Sequence, residues 1–191
     1  MANRLITEEQ IYQEVRKGIA ETLRTAEAKI RPDDSLIADL GAESLDFIDI
    51  NYRLEQRFRL SMPRKYLVEH VEEFFGEGTA VDEDGQITET AVAILKARLG
   101  PAGENLRAGM SVDEIPSLVT PRTLVGVVRE ILESCPPACP ACGTGEWKVA
   151  DGCVLACAGC GKAAPLATGD ELVRKWLAEL REKGFPAGGR G

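Results

Sequence analysis

The chain has 191 residues, of which 44% are hydrophobic and 28% charged, and a formal net charge of −8. That composition gives room for one ordinary globular domain with a small satellite and excludes a disordered chain; with no long uncharged apolar run, no membrane span is expected. Residues 1–133 hold 25 acids against 16 bases and residues 134–191 hold 6 against 7, so the first part favours basic protein partners and argues against nucleic acid.

Met1 to Glu9 lacks the apolar core of a secretion signal, which points to a cytoplasmic protein. In that reducing compartment, six cysteines suggest metal rather than disulfides. Thr7-Glu8-Glu9-Gln10 has capping-box spacing, with Ile6 and Ile11 placed as a hydrophobic staple. Ile11, Val15, Ile19 and Leu23 then repeat every four residues and predict a first helix to about Thr25.

An acidic loop, Asp33-Asp34-Ser35-Leu36-Ile37-Ala38-Asp39-Leu40-Gly41, leads to a second helix from Ser44 to about Arg59. Ser44 suits a helix start as an N-cap. Its hydroxyl there would also sit among free N–H groups at the positive end of the helix dipole, where a phosphodiester is stabilised. Phe47, Ile50, Leu54 and Phe58 form the expected core face. Leu45, Ile48 and Tyr52 form a second stripe, which periodicity leaves open as either a wide buried face or an exposed one.

After Met62-Pro63, residues Arg64 to Phe75 read as a helix with Leu67, Val71, Phe74 and Phe75 on its apolar side. The stretch Asp82 to Ile87 reads as an acidic turn and not a calcium loop. Thr88 opens another helix, with Val92, Leu95 and Leu99 inward, ended by Gly100-Pro101. Ser111-Val112-Asp113-Glu114 is a second capping box and predicts a short helix. Thr120-Pro121 starts the next, with Leu124, Val127, Val128, Ile131 and Leu132 as its packing face.

Cys139-Pro140-Ala141-Cys142-Gly143 and Cys157-Ala158-Gly159-Cys160-Gly161 are two Cys-x-x-Cys-Gly knuckles. Four thiolates so spaced can close a tetrahedral shell around a metal, with glycine relieving each tight turn. Between the knuckles, Glu146 to Ala150, the Asp151-Gly152 turn and Cys153 to Ala156 read as a hairpin. The pattern resembles a zinc ribbon, with Cys139, Cys142, Cys157 and Cys160 as ligands; an iron site and a redox Cys-x-x-Cys pair stand as alternatives. Cys135 and Cys153 are left as packed or free thiols. A last helix carries Leu172, Val173, Trp176, Leu177 and Leu180 on one side, with Trp176 expected against the ribbon or the preceding domain, and Pro186 to Gly191 is a loose tail.

Leu40-Gly41-Ala42-Glu43-Ser44-Leu45, with Asp34-Ser35-Leu36 before it and Asp46 after it, resembles the 4′-phosphopantetheine attachment site of acyl carrier proteins. Glu43 stands where that family has aspartate. The resemblance covers roughly residues 5–63 and 111–134, and 64–110 is a helical insertion between helices 2 and 3. It implies a mainly α fold: a four-helix acyl-carrier-like bundle with this insertion, plus a small β zinc ribbon and a C-terminal helix. The expected division is a carrier domain over 1–134, a ribbon over 135–166, a helix over 167–184 and a tail over 185–191.

The resemblance also implies function. Ser44 would carry the arm, and Glu43, Leu45, Asp46, Ile48, Asp49 and Tyr52 would dock partners; Asp46, Asp49 and Glu55 supply acids, whereas Arg53 and Arg57 dilute them. Cofactors would be covalent 4′-phosphopantetheine and Zn. Partners would be a phosphopantetheinyl transferase and acyl-processing enzymes such as ketosynthases and acyltransferases. The protein would be no enzyme itself, but a carrier of acyl thioesters for fatty-acid- or polyketide-type biosynthesis. The alternative is an unmodified carrier-like scaffold or regulatory protein acting through its ribbon. His70 has no evident nucleophile partner and is expected solvated or packed.

Overall fold

Thr7 starts α1 (Glu8–Leu23) in the computed structural model, which describes residues 5–185. The tail expected over Pro186–Gly191 and the first four residues of the chain lie outside the described residues. Thr7 Oγ1 accepts the Gln10 N–H at 3.2 Å, and Gln10 Oε1 accepts the Thr7 N–H at 2.8 Å, closing the predicted capping box. Ile6 and Ile11 are both buried beside it, as a staple requires. The helix ends at Arg24, whose φ of 52° is left-handed.

Two further helices pack on α1: α2 (Ser44–Phe58) and α5 (Pro121–Glu133). Ile50, Leu54 and Phe58 of α2 are buried, as are Leu124, Val128, Ile131 and Leu132 of α5. Thr120 caps α5 through its hydroxyl to the Thr123 N–H at 3.2 Å, with Pro121 at the first helical position where its missing N–H costs nothing. Arg122 on α5 grips the loop before α2. Its Nε and Nη2 donate to the two Asp33 oxygens at 2.6 and 2.8 Å, and its N–H donates to the Pro32 carbonyl at 2.8 Å.

A two-stranded antiparallel sheet follows: β1 (Trp147–Ala150) and β2 (Val154–Cys157), with Trp147 opposite Cys157 and Ala150 opposite Val154. Asp151 and Gly152 form the turn at φ 39° and 85°, the pair of positive angles a tight hairpin needs.

The contacts divide the chain into two units. One runs through Met62 and resumes over Thr120–Gly169; the other takes Pro63–Val119 and resumes at Asp170. The ribbon thus groups with α1, α2 and α5. In the other unit, α3 (Leu67–Phe75), α4 (Glu89–Leu99) and the apolar side of α6 (Gly169–Glu182) share a core of Val68, Val71, Ile94, Leu95, Leu106 and Leu177. The helix expected from Arg64 begins only at Leu67, and Ile94 takes a central place that Val92 and Leu99 only border.

Two expectations change here. The short third helix of the carrier bundle forms as a 3-10 segment, Val112–Leu118, and its Ile115 enters the core of the second unit. Pro116 inside it lacks the N–H an α-helical turn would use. Trp176, expected against the ribbon or the carrier helices, borders the core of the second unit, with the Arg98 guanidinium 5.2 Å from its ring. His70 is 1% exposed, and its Nε2 lies 2.9 Å from an Asp170 oxygen; among the described residues its Nδ1 has no partner. The Asp170 carboxylate also accepts the Arg64 N–H.

The mainly helical fold with a small sheet and a C-terminal helix is the class the sequence predicts. Among the described residues no helix is long and apolar enough to cross a membrane. The hydrogen bonds from Arg122 to Asp33, and then its charge, hold the Asp33 carboxyl below the usual aspartate range. A depressed carboxyl stabilises the fold above its unfolded pKa of about 3.9 and loses that contribution as pH falls through the folded value. A side-chain NMR titration should therefore give Asp33 a midpoint below about 3.9, and Arg122→Gln should return it to that value.

Candidate functional site

The loop into α2 is held by its own hydrogen bonds. Asp39 accepts the Ser35 N–H at 2.7 Å, Ser35 Oγ accepts the Ala38 N–H at 3.0 Å, and the Ala42 N–H donates to the Leu36 carbonyl at 2.7 Å. Leu36 is fully buried and anchors the loop. Gly41 turns the chain at φ 72°, an angle that any side chain would strain.

The cap of α2 is Glu43 and not Ser44. Asp46, three residues on, accepts the Glu43 N–H at 2.8 Å, so the helix begins at Ser44 as expected and the cap falls one residue before the one the sequence suggests. Ser44 becomes the first helical residue and is exposed. Among the described residues nothing hydrogen-bonds its hydroxyl. It stands in the first turn, where backbone N–H groups have no helical acceptor and the dipole is positive.

The second apolar stripe of α2 is exposed. Leu45 is 77% accessible, Ile48 64% and Tyr52 57%, while Phe47 is half-buried and Ile50 fully buried. Burying a leucine or isoleucine is worth roughly 1.5–3 kcal/mol each, so this face forgoes several kcal/mol of folding energy. The acids beside it are occupied. Asp49 accepts from Arg53 Nε at 2.9 Å and from Thr22 Oγ1 at 2.8 Å; these bonds, that from Arg53 first, hold its carboxyl below the ordinary range. Glu55 accepts the Met62 N–H at 2.9 Å. Arg53 also reaches Glu21 on α1 at 2.7 Å, and Arg57 holds Glu14 on α1 at the same distance. Apart from Asp49 and Arg53, four residues apart on α2, the sequence left these pairings unseen because each partner lies on a different helix or across a loop.

The ribbon brings Cys139, Cys142, Cys157 and Cys160 together, with their sulfurs all within 4.8 Å of one another. Cys139 Sγ lies 3.7 Å from Cys160 Sγ and Cys142 Sγ 3.5 Å from Cys157 Sγ. A tetrahedral zinc with Zn–S of about 2.3 Å needs sulfurs about 3.8 Å apart, so the donor set and its spacing fit that ion. The two knuckles repeat one another. Cys139 and Cys157 donate their N–H groups to the carbonyls of Thr144 and Lys162, and accept from the N–H groups of Gly143 and Gly161. Both glycines are left-handed, at φ 77° and 74°. The knuckles also meet closely: a Cβ on Gly159 would lie 2.6 Å from Thr144 Oγ1, so a larger residue there would force Thr144 to shift.

Cys139 and Cys157 are buried, whereas Cys142 and Cys160 face solvent. Hydrogen bonding from Thr144, and then from Cys157, pulls the Cys142 thiol down to about 6. The Lys162 N–H favours the Cys160 thiolate, but desolvation and the neighbouring thiols outweigh it and push Cys160 up to about 11. The first thiolate in the cluster thus opposes the next, and a dication would relieve that repulsion. Cys135 and Cys153 stand apart from the cluster, each raised by burial. The hairpin turn meets α2 at Arg57, whose Nη1 would lie 2.9 Å from a Cβ on Gly152.

Residues 13–77 match the family described as the phosphopantetheine attachment site. That stretch, about a third of the chain, holds most of α1, the loop, α2 and all of α3; it takes in the helix that the sequence analysis gives to the insertion and stops short of Val112–Leu118 and α5. No solved structure matches the chain.

The ribbon should bind one divalent metal per chain. Cys157→Ser should lose it, and Cys135→Ser should keep it, as read by native mass spectrometry. Four-thiolate metal binding contributes on the order of 10 kcal/mol to a module this small, so chelation should also abolish amide protection over 139–166.

Proposed function

Because residues 13–77 match the family described as the phosphopantetheine attachment site, we propose that this chain is a specialised acyl carrier protein whose arm hangs from Ser44. A phosphopantetheinyl transferase would join the Ser44 oxygen to the nearer phosphorus of coenzyme A, break the pyrophosphate bond and release the adenosine bisphosphate. The terminal thiol then holds an acyl group as a thioester and presents it to enzymes such as ketosynthases and acyltransferases, in a fatty-acid- or polyketide-type sequence in the cytoplasm. The arm supplies the reactive sulfur, and the protein supplies recognition and position.

One observation carries the choice of residue. The matched stretch has three serines, Ser35, Ser44 and Ser61. The Ser35 hydroxyl is half-buried and spent on the Ala38 N–H, and Ser61 lies in the loop after α2. Ser44 alone of the three is exposed at a helix N-terminus, where an attached phosphodiester meets free N–H groups and a favourable dipole, an effect of about 0.3–1 kcal/mol. The exposed Leu45, Ile48 and Tyr52, with Glu43, Asp46 and Asp49, support a docking face beside the arm. Zinc is the metal we assign to the ribbon, in a structural or docking role.

Incubation with coenzyme A and a transferase should add the mass of one phosphopantetheine. Ser44→Ala should abolish the gain, while Ser35→Ala and Ser61→Ala should keep it. No gain with several transferases would instead leave an unmodified scaffold working through the ribbon.

A further inference from the structure

The four-helix pattern gives the carrier bundle a short third helix, but Val112–Leu118 belongs to the other unit, which leaves α1, α2 and α5 to form the bundle around Ser44. Beside α2 stands the ribbon instead, through β2. Successive side chains of a strand point to opposite faces. Val154, Leu155, Ala156 and Cys157 are all buried, so both faces of β2 are covered. Its edges are covered as well. β1 pairs with one; at the other, the Cys157 N–H donates to the Lys162 carbonyl and the Ala164 N–H to the Leu155 carbonyl, each at 2.8 Å. Lys148 and Val149 in the middle of β1 are exposed by contrast. β2 is thus an inner strand of the carrier unit and not part of a projecting knob. Three more ties join the ribbon to the helices. Arg57, paired with Glu14 on α1, abuts the hairpin turn at Gly152. The Gly169 N–H donates to the Ser61 carbonyl after α2, and the Ala167 N–H to Ser134 Oγ after α5, both at 2.9 Å.

We infer that the ribbon is the fourth wall of the carrier unit, and that metal held by Cys139, Cys142, Cys157 and Cys160 is a condition for presenting Ser44 to its transferase. The strand that lies on α2 supplies one of the ligands, Cys157, so metal and helix share one support. A module this small folds only with its metal, and without it β2 has nothing to hold it extended against α2. The effect does not pass by contact with the serine. Arg57 lies roughly 20 Å along the helix from Ser44, at about 1.5 Å per residue. A helix of this length owes most of its stability to packing, so α2 frays when one wall is removed. The free N–H groups and dipole that favour a phosphodiester at Ser44 are lost with it. Arg57 is the positioning residue of this coupling, because it touches α1 and the hairpin turn together. The consequence for loading rests on the reading of Ser44 as the attachment site.

The test compares the full chain with zinc bound and after a chelator has stripped the metal and been dialysed away. Amide exchange should show protection lost over 139–166 and, together with it, exchange over α2 faster by about tenfold or more. Loading from coenzyme A by a transferase, read as mass gain, should fall by about tenfold or more in kcat/KM, and added zinc should restore both readouts. Coupling is reciprocal, so a change on α2 that loosens the ribbon must weaken the metal. Arg57→Ala should raise the zinc Kd about fivefold in a chelator competition. Arg53→Ala, one turn away and paired with Glu21, should change it by less than about twofold. Unchanged exchange over α2 in the metal-free chain, or its full loading, overturns the inference and keeps Ser44 as the attachment site; an equal zinc Kd in the two arginine variants overturns it as well. No mass gain by the zinc-bound chain overturns the reading of Ser44 instead, and exchange over α2 then still decides whether the ribbon is a wall of the unit.

Discussion

One hydrogen bond decides where α2 begins. The Asp46 carboxylate takes the Glu43 N–H, so the cap falls on Glu43 and the serine after it enters the first helical turn with its hydroxyl outward. Had Ser44 been the cap, its oxygen would have been spent on a backbone N–H of its own helix. The buried Leu36 and the left-handed Gly41 fix the approach to this point, and Arg122 ties the start of the same loop to α5. The accessibility of one oxygen is therefore set by several contacts, none of which touches it.

Much of this was legible in the sequence, wherever the signal was local. Thr7, Thr88, and Thr120 before Pro121 each cap the helix they were expected to cap, because the capping oxygen and the N–H it accepts lie three residues apart. The cysteine knuckles were legible for the same reason, since Cys-x-x-Cys-Gly fixes its own turn. Periodicity left the Leu45, Ile48 and Tyr52 stripe undecided, as it must: it reports which residues share a face, not whether anything covers that face.

What escaped the sequence depends on pairs far apart. Glu43 outcompeted Ser44 as cap through the register of the loop, which no propensity encodes. Arg53 and Arg57 looked like a dilution of surface charge until α1 supplied Glu21 and Glu14. Trp176 was assigned to other neighbours because the chain returns to its second unit only after a long excursion through α5 and the ribbon, whereas Val112–Leu118 closes the stretch Pro63–Val119 before that excursion. The family match, ending at residue 77, stops before that excursion starts.

The pairing of His70 with Asp170 spans 100 residues, and the core it borders takes Val173 and Leu177 from α6. During synthesis, then, α3 and α4 emerge with part of their shared core open, and it stays open until α6 has left the ribosome. The helices that present the serine need only α5 and the ribbon, which come before α6. On the growing chain, the attachment site can be in place while its neighbour is still unfinished and open to chaperones.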